Sequence, residues 1–459
     1  MKLNIIRTGQ GKTFSSGSRG RSTAYTFVFA LLFVALAAGA YVFFKDLSGP
    51  EIVMTPMSGS LSPDQEISLT LTDKSSAIRS VSAVVRHSGK TIPAFDRTFP
   101  EELQQQKLAF TLKNAGLKDG SYVLEIVARD TSLAGLGRGN STTLTYPFVL
   151  DSQPPRITLR APPPSLRRGG SAVFVYSLSE EVETTGIMAA DIFFPAFLLK
   201  DGVYCCFLAF PIDVPKTQFV PRLMAKDKAG NVTNMGLSIH LQDRTFRADR
   251  LNISDSFLNR KAPDFEEILP GGNATPLERY LRINSEVRVQ NEKTLRELAA
   301  RTASEFLWTD EKFQHLPGSA MRAGFGDNRT YFHNDQPIDR QVHMGIDLAS
   351  VAHAPIPAAN DGRVIFAGPL GIFGNLVIVD HGMGLMSLYS HMSQILVSEG
   401  ESVTKGQTIA NTGTTGLAGG DHLHFGILVN GIQVQPLDWL DKNWVRAAIT
   451  GRIEAALKR

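Results

Sequence analysis

"DHLHFGILVNG", residues 421–431, carries two histidines one residue apart at the head of an apolar run that closes on Asn-Gly. Side chains alternate between the two faces of a strand, so His422 and His424 share one face, roughly 7 Å apart, and Leu423 points to the other. Gly419 and Gly420 supply a tight turn just ahead. Such a strand carries either two unrelated core side chains or part of a metal site. The surrounding sequence has to decide.

Outward from this point, residues 309–443 read as short strands punctuated by glycine: "DGRVIFAGP", "GNLVIVDHG", "GLMSLYSHMS", "ESVTKGQTIANTG" and the opening stretch itself. Three further elements bear chemistry. "QVHMGIDLAS" sets His343 and Asp347 four apart, on one face if extended. "LYSHMS" adds His391 from another strand, and "AGFGDNRTY" offers Arg329 and Tyr331 as rim residues. Catalytic zinc takes three N or O ligands and leaves a position for water, whose pKa it lowers to about 7. His343, Asp347, His391, His422 and His424 exceed that need. The surplus suits a hydrolase, which also requires groups to move the water's proton and to stabilise the transition state. Spacing alone leaves open which group does which.

With these residues in view, residues 309–443 resemble the lysostaphin/LytM-type zinc metalloendopeptidases, which cut peptide bonds in peptidoglycan. The H-x3-D motif matches His343-Met-Gly-Ile-Asp347, H-x-H matches His422-Leu-His424, and the upstream catalytic histidine matches His391 in "YSHMS". "APIPAANDGRVIFAG" and "VTKGQTIANTGTTG" resemble the framing strands and turns, in the family's order, across about 30% of the chain. The resemblance implies a β-rich, barrel-sandwich-like domain in which His343, Asp347 and His424 hold Zn2+. It implies catalytic roles for His391 and His422, with His422 as base and His391 stabilising the transition state. The loop "LASVAHAP" after Asp347 is longer than the family's usual one, which bears on substrate contacts and not on the ligands. Of the other histidines, His381 is expected to hydrogen-bond its neighbours at a turn, His353 to lie on the lengthened loop, and His333 has no assigned role.

The rest of the chain reads as a mainly β, multidomain protein. Residues 50–150 alternate apolar and polar in strands such as "EISLTLTD" and "SYVLEIVARD", as in a β-sandwich. "DSQPP" is a linker, and 153–243 reads as a second, immunoglobulin-like sandwich, its turn at Asp227–Asn231 resembling the final hairpin of bacterial modules of that kind. Domains of this kind act as spacers or binding modules, and here they are expected to hold the catalytic domain at a distance from the membrane. Adjacent Cys205 and Cys206 make no disulfide framework and fill a strand, one on each face, so that one could be exposed. Residues 247–308 read as helical, with Thr275 as N-cap and Pro276 at the first position, packing against or covering the C-terminal domain. Residues 444–459 read as an amphipathic C-terminal helix.

At the other end, residues 24–44 contain no charge and are long enough to span about 30 Å of hydrocarbon. The run exceeds the roughly 7–15 apolar residues of a signal peptide, so residues 23–45 are expected to be an uncleaved transmembrane helix. Lys2, Arg7, Lys12, Arg19 and Arg21 make residues 1–22 a basic cytoplasmic arm, placing the bulk outside, in the periplasm or facing the wall. Of the net +3 these five leave −2 for the remainder, which gives no nucleic-acid footprint. "GQGKT" in the arm lacks the earlier glycine of a phosphate-binding loop, Ile6 standing there instead. The expected protein is a membrane-anchored zinc endopeptidase acting on peptidoglycan. The alternative is a non-catalytic envelope partner that activates other wall hydrolases, although relatives of that kind lack ligands this chain retains.

Overall fold

The computed structural model describes residues 19–44, 46–57, 59–133, 137–270, 272–309 and 311–458, without the side chains of 19–24 and 42–44. Most of the basic arm, with "GQGKT", lies outside the described residues. Arg19–Phe44 is one helix, and every side chain described in it, from Tyr25 to Tyr41, is exposed. Among the described residues no helix is long and apolar enough to cross a membrane. The chain divides into two compact units, Met1–Ser152 and Gln153–Arg459.

In the first unit a three-stranded sheet (Glu51–Thr55, Ile67–Thr72, Gln105–Phe110) faces a five-stranded one that includes Ile78–His87, Gly120–Asp130 and Ser141–Leu150. Alternation drives the packing. Ile67, Leu69 and Leu71 are buried, while Ser68, Thr70 and Thr72 point away. They meet Val81, Val85, Leu124, Ile126 and Phe148 in one core.

The second unit is mostly β, with helices at two places. Residues 157–236 build a seven-stranded antiparallel sheet. Its strand Ile192–Lys200 pairs with Val182–Ala189 through Pro195 and with Val203–Ala209 from Ala196 onward. A strand that changes partner midway turns a corner between two layers. This region is not a detached spacer. Phe207, Trp308, Phe313 and Trp439 meet in aromatic contacts with centroids 5.3–6.3 Å apart, within a core shared with the C-terminal domain. Cys205 and Cys206 are therefore both fully buried, where one exposed face was expected. The strand has apolar layers on both sides, and burial raises both thiol pKa values.

Residues 247–308 open with a strand, Ala248–Asn252, in parallel register with Asn328–His333, before turning helical at Asp255. Thr275 does cap the helix Pro276–Arg282: its hydroxyl accepts from the Glu278 N–H, and the Glu278 carboxylate accepts from the Thr275 N–H. Ile283, Val287, Leu295 and Leu298 pack on Ile372, Phe373, Leu376 and Leu388 of the following domain. The C-terminal helix begins at Lys442, capped by Asp441, and buries Val445, Ile449, Ile453 and Ala456 at helical spacing.

Candidate active site

An eight-stranded sheet positions the chemistry. Its strand Leu423–Val429 lies between Ile346–Ala349 and Leu385–Ser390, all antiparallel. Register places His424 opposite Asp347 on one side and opposite Ser390 on the other, with His391 next in sequence. His422 is bridged to Gly413 just before that strand begins, and Leu423 is buried beneath. His343 lies outside any strand, on a bend that reaches Asp347 through Gly345. A Cβ on Gly345 would stand 2.5 Å from His424 Nε2, so the imidazole can occupy its place only over a glycine.

His343 Nε2, Asp347 Oδ1 and His424 Nδ1 form a triangle with sides of 2.9 Å. His343 donates from Nδ1 to the Gly324 carbonyl at 2.8 Å, which leaves its Nε2 a bare acceptor. The carboxylate oxygen is also an acceptor. At most one hydrogen, on His424 Nδ1, remains for three converging lone pairs. His424 Nε2 is itself buried with no partner. This donor set is short of hydrogens and suits a cation: two imidazoles and a carboxylate are ligands zinc takes. Among the described residues it is one of three such clusters, and the one that contains histidine.

Arg329 and Tyr331, expected at the rim, both line the cavity over the site, and Arg329 also supports the triangle. Its Nη2 donates to Asp347 Oδ2 at 3.0 Å, leaving Oδ1 for the cluster. Burial pushes His424 down to about 4, so that ring is neutral near pH 7.

His422 and His391 border the triangle, their ring centroids 4.9 Å apart. Each fixes its tautomer as His343 does: His422 Nδ1 donates to the Gly420 carbonyl and His391 Nδ1 to that of Thr415, both at 2.8 Å. Both therefore turn Nε2 inward, and His422 Nε2 lies 3.5 Å from Asp347 Oδ1. Burial, with His422 and His424 nearby, holds the His391 pKa well below its ordinary value. Burial would lower His422 too, but Asp347 outweighs it and raises that pKa. His391 has φ of 64°, a left-handed conformation uncommon for a residue with a Cβ. Backbone held this way costs of order 1–3 kcal/mol and is retained where function needs the orientation.

A cavity of about 480 Å³ opens on these five residues. Its far wall comes from the segment 247–308: Leu251, Phe257, Tyr280, Asn284 and Arg288. Sequence reasoning gave no way to name these, because helical periodicity marks which face is buried and not what it faces. The remaining histidines stand apart. His333 meets the Ile253 carbonyl, and His353 meets Ser393 Oγ. His381 donates to the Asp361 carbonyl and accepts from Ser387 Oγ, which in turn neighbours Tyr389 Oη.

Residues 341–436 match Peptidase family M23, and that stretch is an M23 peptidase domain. The chain is similar to DD-carboxypeptidase/endopeptidase Mpg of Neisseria meningitidis, 38% identical over 21% of this chain and 22% of the relative. It is 31% identical to peptidoglycan DD-endopeptidase ShyB of Vibrio cholerae over 32% of this chain and 36% of that one. It is 42% identical to murein hydrolase activator NlpD of Salmonella dublin over 21% of this chain and 26% of the relative. The chain thus spans between about a fifth and just over a third of the length of these curated relatives.

Proposed function

We propose that this chain is a membrane-anchored zinc metalloendopeptidase that hydrolyses peptide cross-links of peptidoglycan. The observation that carries the reading is the 2.9 Å triangle of His343, Asp347 and His424, short of hydrogens and bordered by two inward-facing Nε2 atoms. Zinc held by those three residues supplies Lewis acidity toward water and the scissile carbonyl. The chain's own groups do the rest. His422, nearest the triangle, takes the proton of the attacking water, and its Nδ1 bond to Gly420 keeps the accepting nitrogen aimed inward. His391 turns a second bare Nε2 to the same space, so it takes up a proton as the reaction proceeds, the imidazolium so formed stabilises the developing charge, and the proton then passes to the leaving amine. Arg329 keeps Asp347 Oδ1 turned to the metal. The uncharged stretch 24–44 would anchor the enzyme, with the catalytic unit outside the cytoplasm, where its substrate lies.

The similarity to a murein hydrolase activator supports a second reading, in which the domain serves as a non-catalytic partner. Retention of all five site residues favours the enzyme. Incubating the purified chain with sacculi and identifying released muropeptides by mass spectrometry separates the two. The enzyme releases cleaved peptides by itself. A partner releases none and only speeds an added wall hydrolase.

A further inference from the structure

Three carboxylates in the first unit have no part in the chemistry above. Asp46 follows the N-terminal helix, Asp73 follows the strand Ile67–Thr72, and Asp130 ends the strand Gly120–Asp130. One oxygen from each lies within 4.8 Å of the others. The three residues are 8%, 4% and 0% exposed. Among the described residues none of them has an ion-pair partner.

Like charges gathered this closely away from water repel, and a buried carboxylate is favoured by a cation beside it. Hydrogen bonds do not resolve the conflict. Asp73 Oδ1 accepts from the Ser75 and Ser76 N–H groups at 2.9 and 2.8 Å. Asp130 Oδ1 accepts from the Ser132 and Asn140 N–H groups at 3.0 and 2.7 Å, and its Oδ2 from Asn140 Nδ2 at 2.9 Å. These bonds add no positive charge. Among the described residues Asp46 Oδ1 accepts only from Ser48 Oγ, at 3.5 Å, and its Oδ2 is buried with no hydrogen-bond partner.

The backbone is shaped around the cluster as well. Gly139 has φ of +81°, and a Cβ there would lie 2.3 Å from the Asp130 carbonyl oxygen and 2.8 Å from Asp130 Oδ1. Asn140, the next residue, also donates to the carbonyls of Asp46 and Ser48, at 3.2 and 3.1 Å. The loop thus closes on the carboxylates from one side and holds the segment after the helix from the other.

We propose that Asp46, Asp73 and Asp130 bind one Ca2+, fastening the segment that leaves the N-terminal helix to the first β-sandwich. The donor set is all oxygen, with neither imidazole nor thiolate, which selects a hard cation. Mg2+ normally keeps several waters, whereas Ca2+ accepts a cage of protein oxygens at 2.3–2.6 Å. The three carboxylates supply part of the six to eight oxygens that Ca2+ takes, and its flexible geometry accepts carbonyls or waters for the rest.

The test uses the full chain in detergent, stripped with EGTA, and Ca2+ alone as the probe, followed by titration calorimetry and thermal unfolding. Asp46→Asn is the informative variant, because Oδ2 has no hydrogen bond to lose. It is expected to weaken Ca2+ binding at least tenfold. In EGTA it should match or exceed the wild-type Tm, since it removes one of three repelling charges, and in Ca2+ the order should reverse. A stripped wild-type chain that shows neither binding heat nor a Tm change with Ca2+ overturns the proposal, as does a variant that binds as tightly as wild type.

Discussion

Asp347 and His424 are register partners on adjacent antiparallel strands, and their inward atoms, Oδ1 and Nδ1, stand 2.9 Å apart. The distance is set by backbone pairing and does not depend on long flexible side chains. Two of the three candidate ligands are thus fixed by the sheet itself, and only His343 arrives from a bend.

That bend rests on Gly345. Gly345→Ala drives a methyl against the His424 ring, at 2.5 Å from Nε2. The Phe425 carbonyl, 2.7 Å from the same methyl, is fixed in the sheet, so the ring must shift out of the triangle and the variant is expected to bind zinc at least tenfold more weakly, measured by chelator competition. An unchanged affinity would mean the ring is not required in this position.

Arg329→Gln removes the donor that holds Asp347 Oδ2. Loss of such an outer partner typically costs about 10–100-fold in metal affinity or activity. The variant should show this loss of affinity, and its hydrolysis should recover when excess zinc is supplied. A defect that zinc cannot restore would assign Arg329 to substrate and not to the ligand.

Residues 309–459 are not expected to fold alone. Cutting there removes the strand paired with Asn328–His333 and the cover provided by Ile283, Val287, Leu295 and Leu298. Each fully buried side chain of this kind contributes roughly 1.5–3 kcal/mol, so the loss rivals the stability of a whole domain. Circular dichroism melting should show one cooperative transition for residues 153–459 and none for 309–459. A cooperative melt of the shorter piece would return the helical segment to the status of a removable cover.

His381 makes the stability depend on pH. Burial holds its pKa down at about 4, against an ordinary value of 6.5. The unfolded chain therefore takes up a proton that the fold refuses. Stability from this group is full above pH 6.5 and is lost as pH falls toward 4, by about 3 kcal/mol. Urea midpoints measured across that range should fall less steeply in His381→Gln than in wild type; identical slopes would exclude the histidine as the cause.

The candidate site residues were legible because their types and spacings are few: His343, Asp347, His391, His422 and His424 could be named from the sequence, and the fold brings them to one cavity. Alternation likewise exposed the strands of the first sandwich. Tertiary partners were not legible. Nothing local shows that Arg329, besides lining the cavity, bonds Asp347 Oδ2. The two-sided burial of Val203–Ala209 was missed even though "VYCCFLA" is apolar without alternation, the pattern of a strand covered on both faces. Weighing that pattern above the cysteine pair would have pointed to a shared core instead of a spacer.

His422 and His424, one residue apart, are proposed to do different work, and zinc content measured beside hydrolysis of sacculi separates the two roles. Wild type should hold about one zinc per chain and be fully active. His424→Ala should lose both the metal and hydrolysis, while His422→Ala should keep the metal and lose hydrolysis. Zinc retained by His424→Ala, or stripped by His422→Ala alone, would contradict this assignment.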